Sequence, residues 1–105
     1  MADEKLTPWT ASKDPAAGTA SIEGEVDFTN SLEVRQWLKE FCDETSGEVL
    51  LDLGKLSYID SSGLAVLIEI RKLLKAGNRS IRIVAVTGQV HKLFTLTQIG
   101  DLFGI

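Results

Sequence analysis

Leu50-Leu51-Asp52-Leu53-Gly54-Lys55-Leu56-Ser57-Tyr58-Ile59-Asp60-Ser61-Ser62-Gly63-Leu64 decides the reading of this chain. Val49-Leu50-Leu51 is a short apolar run bounded by Gly47 and Gly54, the pattern of a central strand buried on both faces. Ten residues later Asp60-Ser61-Ser62-Gly63 forms a polar turn, and an apolar segment follows at once. Asp or Ser ahead of an apolar periodic run is the chemistry of a helix entry, because the side-chain oxygen accepts from backbone N–H groups that have no partner in the first turn. A helix is therefore predicted from Ser61 or Ser62 to Gly77-Asn78.

Strands and helices alternate on either side of this stretch. Upstream, Thr19 to Val26 alternates small or apolar with polar residues, as a half-exposed strand does. Residues Met1 to Gly18 are weakly patterned, with a possible edge strand over Lys5 to Ala11 and turn chemistry at Lys13-Asp14-Pro15 and Gly18. The two strands predict an antiparallel hairpin. Asn30 with Glu33 fits a capping box, and Val34, Trp37, Leu38, Phe41 and Cys42 recur at helical spacing as one buried stripe that ends at Thr45-Ser46-Gly47. Downstream, Ser80 to Val86 reads as another interior strand. Thr87 caps a short helix carrying Val90, Leu93, Phe94 and Thr97, and Leu102-Phe103 with Ile105 closes the chain as a short strand or tail. The order predicts one α/β domain, a mixed sheet of four to five strands covered by helices, with residues 1–18 as an N-terminal segment and 19–105 as the domain proper.

Composition narrows the function. A chain of 105 residues holds one core. Its net charge of −4 argues against nucleic acid, since a phosphate backbone demands clustered Lys and Arg. One cysteine, Cys42, and one histidine, His91, cannot build a zinc site, and Cys42 falls on the core-facing stripe as an inert thiol. No basic start leads into an apolar run, and Leu64 to Ile68 is far short of the ~20 residues of a membrane span. The expectation is a cytoplasmic, reduced protein with no direct membrane insertion and no cofactor, monomeric or weakly dimeric. Enzymatic readings fail on spacing. Ser61 lies in no Gly-x-Ser-x-Gly elbow, His91 stands on a polar helix face beside Lys92, and Gly54-Lys55 lacks both the leading glycine and the following Ser or Thr of a phosphate loop. Asp27 and Asp60 could pair around a cation, although capping of helix entries suits them better. Trp9 suits a cover for the sheet edge.

The Leu-rich strand followed by Asp60-Ser61-Ser62-Gly63, with Gly24-Glu25-Val26-Asp27 before it and Val90-x-x-Leu93-Phe94 after it, resembles the STAS family over residues 19 to 105. The family comprises sulfate-transporter and anti-sigma-factor-antagonist domains. The resemblance implies a non-enzymatic interaction switch. Matched residue by residue, Ser61 is the phosphoacceptor of a partner that is both serine kinase and anti-sigma factor. The unmodified chain captures that partner and the phosphorylated chain lets go. The alternative implied by the family is an accessory subunit docking on the ATPase of a lipid-transport ABC system.

Helical spacing adds a surface to this site. At ~100° per residue, Val66, Leu67, Ile70, Leu73 and Leu74 share the core face. Ala65, Ile68 and Lys72 point away in line with Ser61, with Leu64 at the margin. Ile68 is then either part of a docking strip or covered by another segment. The expected partner-binding set is Asp27, Asp60, Ser61, Ser62, Gly63, Leu64, Ala65, Ile68 and Lys72, with Ser61 as the modified residue and no catalytic or metal-binding residue.

Overall fold

The structure is a computed structural model that describes residues 8–105. Its elements are β1 (Trp9–Asp14), β2 (Thr19–Val26), α1 (Ser31–Asp43), β3 (Val49–Leu53), β4 (Leu56–Ile59), α2 (Ser61–Ala76), β5 (Ile81–Val86), α3 (Gly88–Leu96) and a closing 3-10 turn, Gly100–Phe103. The sheet is mixed and five-stranded, in the order β1-β2-β3-β5 with β4 beside β2. β1 and β2 form the expected antiparallel hairpin, and all other pairings are parallel.

The hairpin is shifted from its expected place. β1 starts at Trp9 and runs to Asp14, which pairs with Thr19, so the turn is Pro15 to Gly18 and Lys13-Asp14 belongs to the strand. The residues before Pro8 in the expected Lys5 to Ala11 strand lie outside the described residues. Lys13 reaches across to the Glu44 carboxylate at 2.7 Å. A charged lysine on an edge strand discourages pairing with another chain.

β4 was not expected as a strand. Its burial runs buried, exposed, exposed, buried, without the two-residue period that marks a strand in sequence. Pairing with β2 makes it one: Gly24 lies beside Leu56, and after a bulge Val26 lies beside Ile59. Gly24 has φ +94°, and a Cβ there would sit 2.7 Å from the Pro8 carbonyl oxygen, so the bulge admits only glycine. Thr87 and Gln89 at the start of α3 donate to the Leu56 and Ser57 carbonyls at 3.0 and 2.6 Å, closing the other side of β4.

The helices cover one sheet face, not both. Ala20, Ile22, Val49, Leu51, Leu53, Ile81 and Ile83 are buried, while Glu23, Leu50, Asp52, Arg82 and Val84 between them are half-buried or exposed. β3 is thus buried on one face. β5 is an edge strand against which the 3-10 turn packs, not an interior one. Leu102 and Phe103 belong to that turn, and the fully buried Phe103 ring meets Phe94 edge-on at 5.7 Å.

Two helix details also differ from expectation. The capping box of α1 does not form: the buried Asn30 side chain turns back, accepting from the Asp27 amide and donating to the Glu25 carbonyl, and Glu33 instead accepts from the Trp9 indole N–H at 3.0 Å. Trp9 therefore joins β1 to α1. On the helix faces, Trp37 and Cys42 are half-buried, with Trp37 stacked on Phe41, and Leu73 is 48% exposed. Leu73 lines an open cleft between α1 and α2 together with Lys39, Cys42 and Asp43. Burial still pushes the Cys42 thiol pKa up, against the pull of the nearby Arg79 charge.

Candidate functional site

Parallel pairing of β2 with β4 puts Val26 beside Ile59, so both strands end together and the entries of α1 and α2 lie side by side. The Asp60 amide completes the ladder by donating to the Val26 carbonyl at 3.1 Å. Asp60 is the N-cap of α2: Oδ1 accepts from the amides of Ser62 at 2.9 Å and Gly63 at 3.2 Å. Its other oxygen, Oδ2, accepts from the Phe28 amide at 3.2 Å. One carboxylate thereby fastens the loop after β2 to the start of α2.

Ser61 is the first residue of α2 and is exposed. Its hydroxyl has no hydrogen-bond partner among the described residues. It stands at the positive end of the helix dipole. His91 is exposed on α3 with no hydrogen bond to Ser61, so the serine lacks the oriented base of a hydrolytic site. Asp27 shapes the neighbouring entry: its Oδ1 accepts from the Thr29 amide at 2.8 Å and from the Thr29 hydroxyl. Both Asp27 and Asp60 serve backbone amides at helix entries. The described residues include no group of three or more His, Cys, Asp or Glu side chains placed to hold a metal ion.

The expected docking set divides. Ser61, Ala65 and Lys72 are exposed, and Asp27, Asp60, Ser62 and Ile68 are half-buried. Ile68 packs against the core edge, so the outward strip on α2 is narrower than periodicity implies. Gly63 and Leu64 point inward. Leu64 is 6% exposed, and Gly63 is pressed against Ile59 and Val26, because the close approach of α2 to the ends of β2 and β4 draws its first turn onto the core.

The most exposed large apolar side chains near the site were not anticipated. Phe28 is 75% and Leu32 76% exposed. The Asn30 and Ser31 amides both donate to the Asp27 carbonyl, so Phe28 stands in a tight turn that leads into α1, four residues ahead of Leu32. Leu32 in turn lies one turn before Arg35, which grips Glu69 of α2 through a two-pronged ion pair, Nε–Oε1 2.8 Å and Nη2–Oε2 2.5 Å. Ala65 lies one turn before Glu69. The signal for Leu32 was present in the sequence: it falls about 200° from Val34, on the far side of the buried stripe. Phe28 gave none, being a lone aromatic in a turn.

Charge around the site is mostly acidic, with Arg35 paired to Glu69 and Lys72 further along α2. Residues 25–34 and 56–70 carry Glu25, Asp27, Glu33, Asp60 and Glu69 and no Lys or Arg. The Arg35 pair holds the Glu69 carboxyl below its usual pKa range, chiefly through the hydrogen bonds.

Comparison with known proteins agrees with this architecture. The chain is 27% identical over 84 residues to the anti-sigma-B factor antagonist of Staphylococcus epidermidis, an alignment spanning 80% of this chain and 78% of that protein. Its fold superposes on an anti-sigma factor antagonist from Mycobacterium paratuberculosis with a TM-score of 0.80 at 19% identity, covering 92% of this chain and 84% of that one. It superposes on the Bacillus cell fate determinant SpoIIAA in the phosphorylated form with a TM-score of 0.64 at 18% identity, covering 90% and 87%. The family model described as STAS domain matches residues 9–105, and the chain belongs to the STAS domain family.

Proposed function

We propose that this protein is an anti-sigma factor antagonist switched by phosphorylation of Ser61. Unmodified, it binds an anti-sigma factor that is also a serine kinase; phosphorylated, it is released. It acts in the cytoplasm, and no described helix is long and apolar enough to cross a membrane. The observation that carries the reading is the exposed, unengaged Ser61 hydroxyl at the first position of α2, directly after a capping aspartate.

The physics of that position suits a switch. A phosphate adds about −1.5 to −2 charges. At a helix N-terminus this charge is favourable to the domain's own fold. At a protein interface the same dianion must be desolvated beside Asp60 and Asp27, which costs binding. Named relatives that are anti-sigma factor antagonists, one of them solved in a phosphorylated form, support the reading.

The test is to incubate the protein with ATP and the serine-kinase anti-sigma proteins of its source bacterium, map the modified residue by mass spectrometry, and compare binding of the two forms by calorimetry. Phosphate at Ser61 with loss of binding is the expected result. A chain left unmodified by every such kinase, and captured instead by a transporter ATPase, would replace this reading with the accessory-subunit one.

A further inference from the structure

We infer that Phe28 and Leu32 are the apolar anchors of the partner surface, and that they fit an apolar cleft rimmed by cationic side chains on the serine-kinase anti-sigma protein. The inference rests on the Ser61 reading and adds a second half to its site. Three observations carry it. Phe28 and Leu32 are each about three-quarters exposed, although large apolar side chains gain most from burial. They lie four residues apart across the turn into α1, Phe28 in the turn and Leu32 in the first turn of the helix, and the Asp60 carboxylate ties the Phe28 amide to the turn that presents Ser61. Glu25, Asp27, Glu33 and Asp60 lie around the anchors, while the nearest cation, Arg35, is neutralised by its pair with Glu69 and Lys72 lies three turns along α2 from Ser61, so a complementary partner presents Lys or Arg around its cleft.

The arrangement explains how one phosphate can release a partner with a cationic rim. Ser61 directly follows Asp60, whose carboxylate holds the Phe28 amide, so on this reading it sits next to the Phe28 anchor and inside the rim. A dianion placed there must lose its water without gaining a paired charge, and it holds the anchors out of their cleft. Aromatic and aliphatic anchors at the centre of an interface commonly account for most of its affinity.

The experiment uses the kinase that phosphorylates Ser61 in the assay above, titrated with wild type, Phe28→Ser, Leu32→Gln, the double variant, Phe28→Leu and Ser61→Asp, each with its melting midpoint. Each polar single variant should lose affinity about 10-fold and the double about 100-fold. Midpoints should stay within a degree or two of wild type, roughly, because neither side chain is in the core. Phe28→Leu, which keeps an apolar anchor, should retain most of the affinity and guards against a trivial folding defect. Wild-type affinity should fall as salt is raised.

A double variant that binds like wild type while Ser61→Asp is weakened overturns the anchors and leaves the switch standing. A wild-type dimer that the double variant dissolves, with kinase affinity unchanged, gives this face to a second copy and also overturns them. Affinity indifferent to salt overturns the cationic rim. A wild type that no such kinase binds or phosphorylates removes the Ser61 reading and the anchors with it.

Discussion

Asp60 holds Phe28 in place: its Oδ2 accepts the Phe28 amide at 3.2 Å while its Oδ1 caps α2 through Ser62 and Gly63. Asp60→Ala strips three backbone amides of their acceptor at once. The expected loss is about 1–2 kcal/mol in urea unfolding, the upper range of an N-cap deletion. Asp60→Asn, which keeps one acceptor oxygen, should lose less. Equal stability of the alanine variant and wild type would show that water replaces the carboxylate at no cost.

Gly63→Ala tests the packing of the first turn of α2. Helix propensity favours alanine by about 1 kcal/mol at an exposed site. Here a Cβ would sit 2.5 Å from Ile59 Cγ1 and 2.9 Å from Val26 Cγ1, and overpacking of this kind costs about 1–3 kcal/mol. The net sign should be destabilising, read as a lower melting midpoint. Ile59→Val in the same background should recover part of the loss.

Arg79 closes the end of α1 from a distant part of the chain. Its guanidinium donates to the Gly47 and Cys42 carbonyls and to the Thr45 hydroxyl, at 3.0, 2.8 and 2.6 Å. Arg79→Ala should cost about 2 kcal/mol, and lysine should restore little, because a point ammonium cannot serve three acceptors in a fan. Denaturation midpoints of the three proteins decide the matter.

The Arg35–Glu69 pair gives an acid limb to stability. Glu69 has its folded pKa lowered, first by the hydrogen bonds from Arg35 and then by charge attraction to Arg35 and Lys39, with desolvation opposing. Its contribution is fully present above the unfolded carboxylate pKa and is lost as pH falls through the folded one. Urea midpoints of wild type and Glu69→Gln should differ near neutral pH and converge in acid, and high salt should shrink the difference at neutral pH because the pair is partly solvent-exposed. A gap that persists in acid would assign the effect to something other than ionisation.

Phe103 brings the end of the chain into the core. It is fully buried and meets Phe94 edge-on. Phe103→Ala should cost about 3–5 kcal/mol, far more than a change in a loose tail. A melting midpoint within error of wild type would mean that the turn does not dock in solution.

Much of the fold is legible in local patterns. β2 and α2 match their expected spans, because alternation and a capped apolar period are local properties of the chain. Thr87 caps α3 as its spacing implies, with the hydroxyl accepting from the Val90 amide at 3.4 Å. β4, the bulge at Gly24 and the closing turn were not legible, since each is made by contact with a distant segment. The same holds for Asn30 and Glu33, whose capping-box pattern is real but whose side chains find stronger engagements with Asp27, Glu25 and Trp9.

The sequence by itself determined the Asp60-Ser61 helix entry and most of the core stripes, all but Trp37, Cys42 and Leu73, because spacing survives without a third dimension. Only the tertiary structure decided that the described helices cover one sheet face, that Gly63 and Leu64 turn inward, and that the Phe28 turn is fastened to the turn presenting Ser61. The reason is geometric. The parallel pairing of β2 with β4 is a contact between segments some thirty residues apart, and it is that contact which brings two helix entries together.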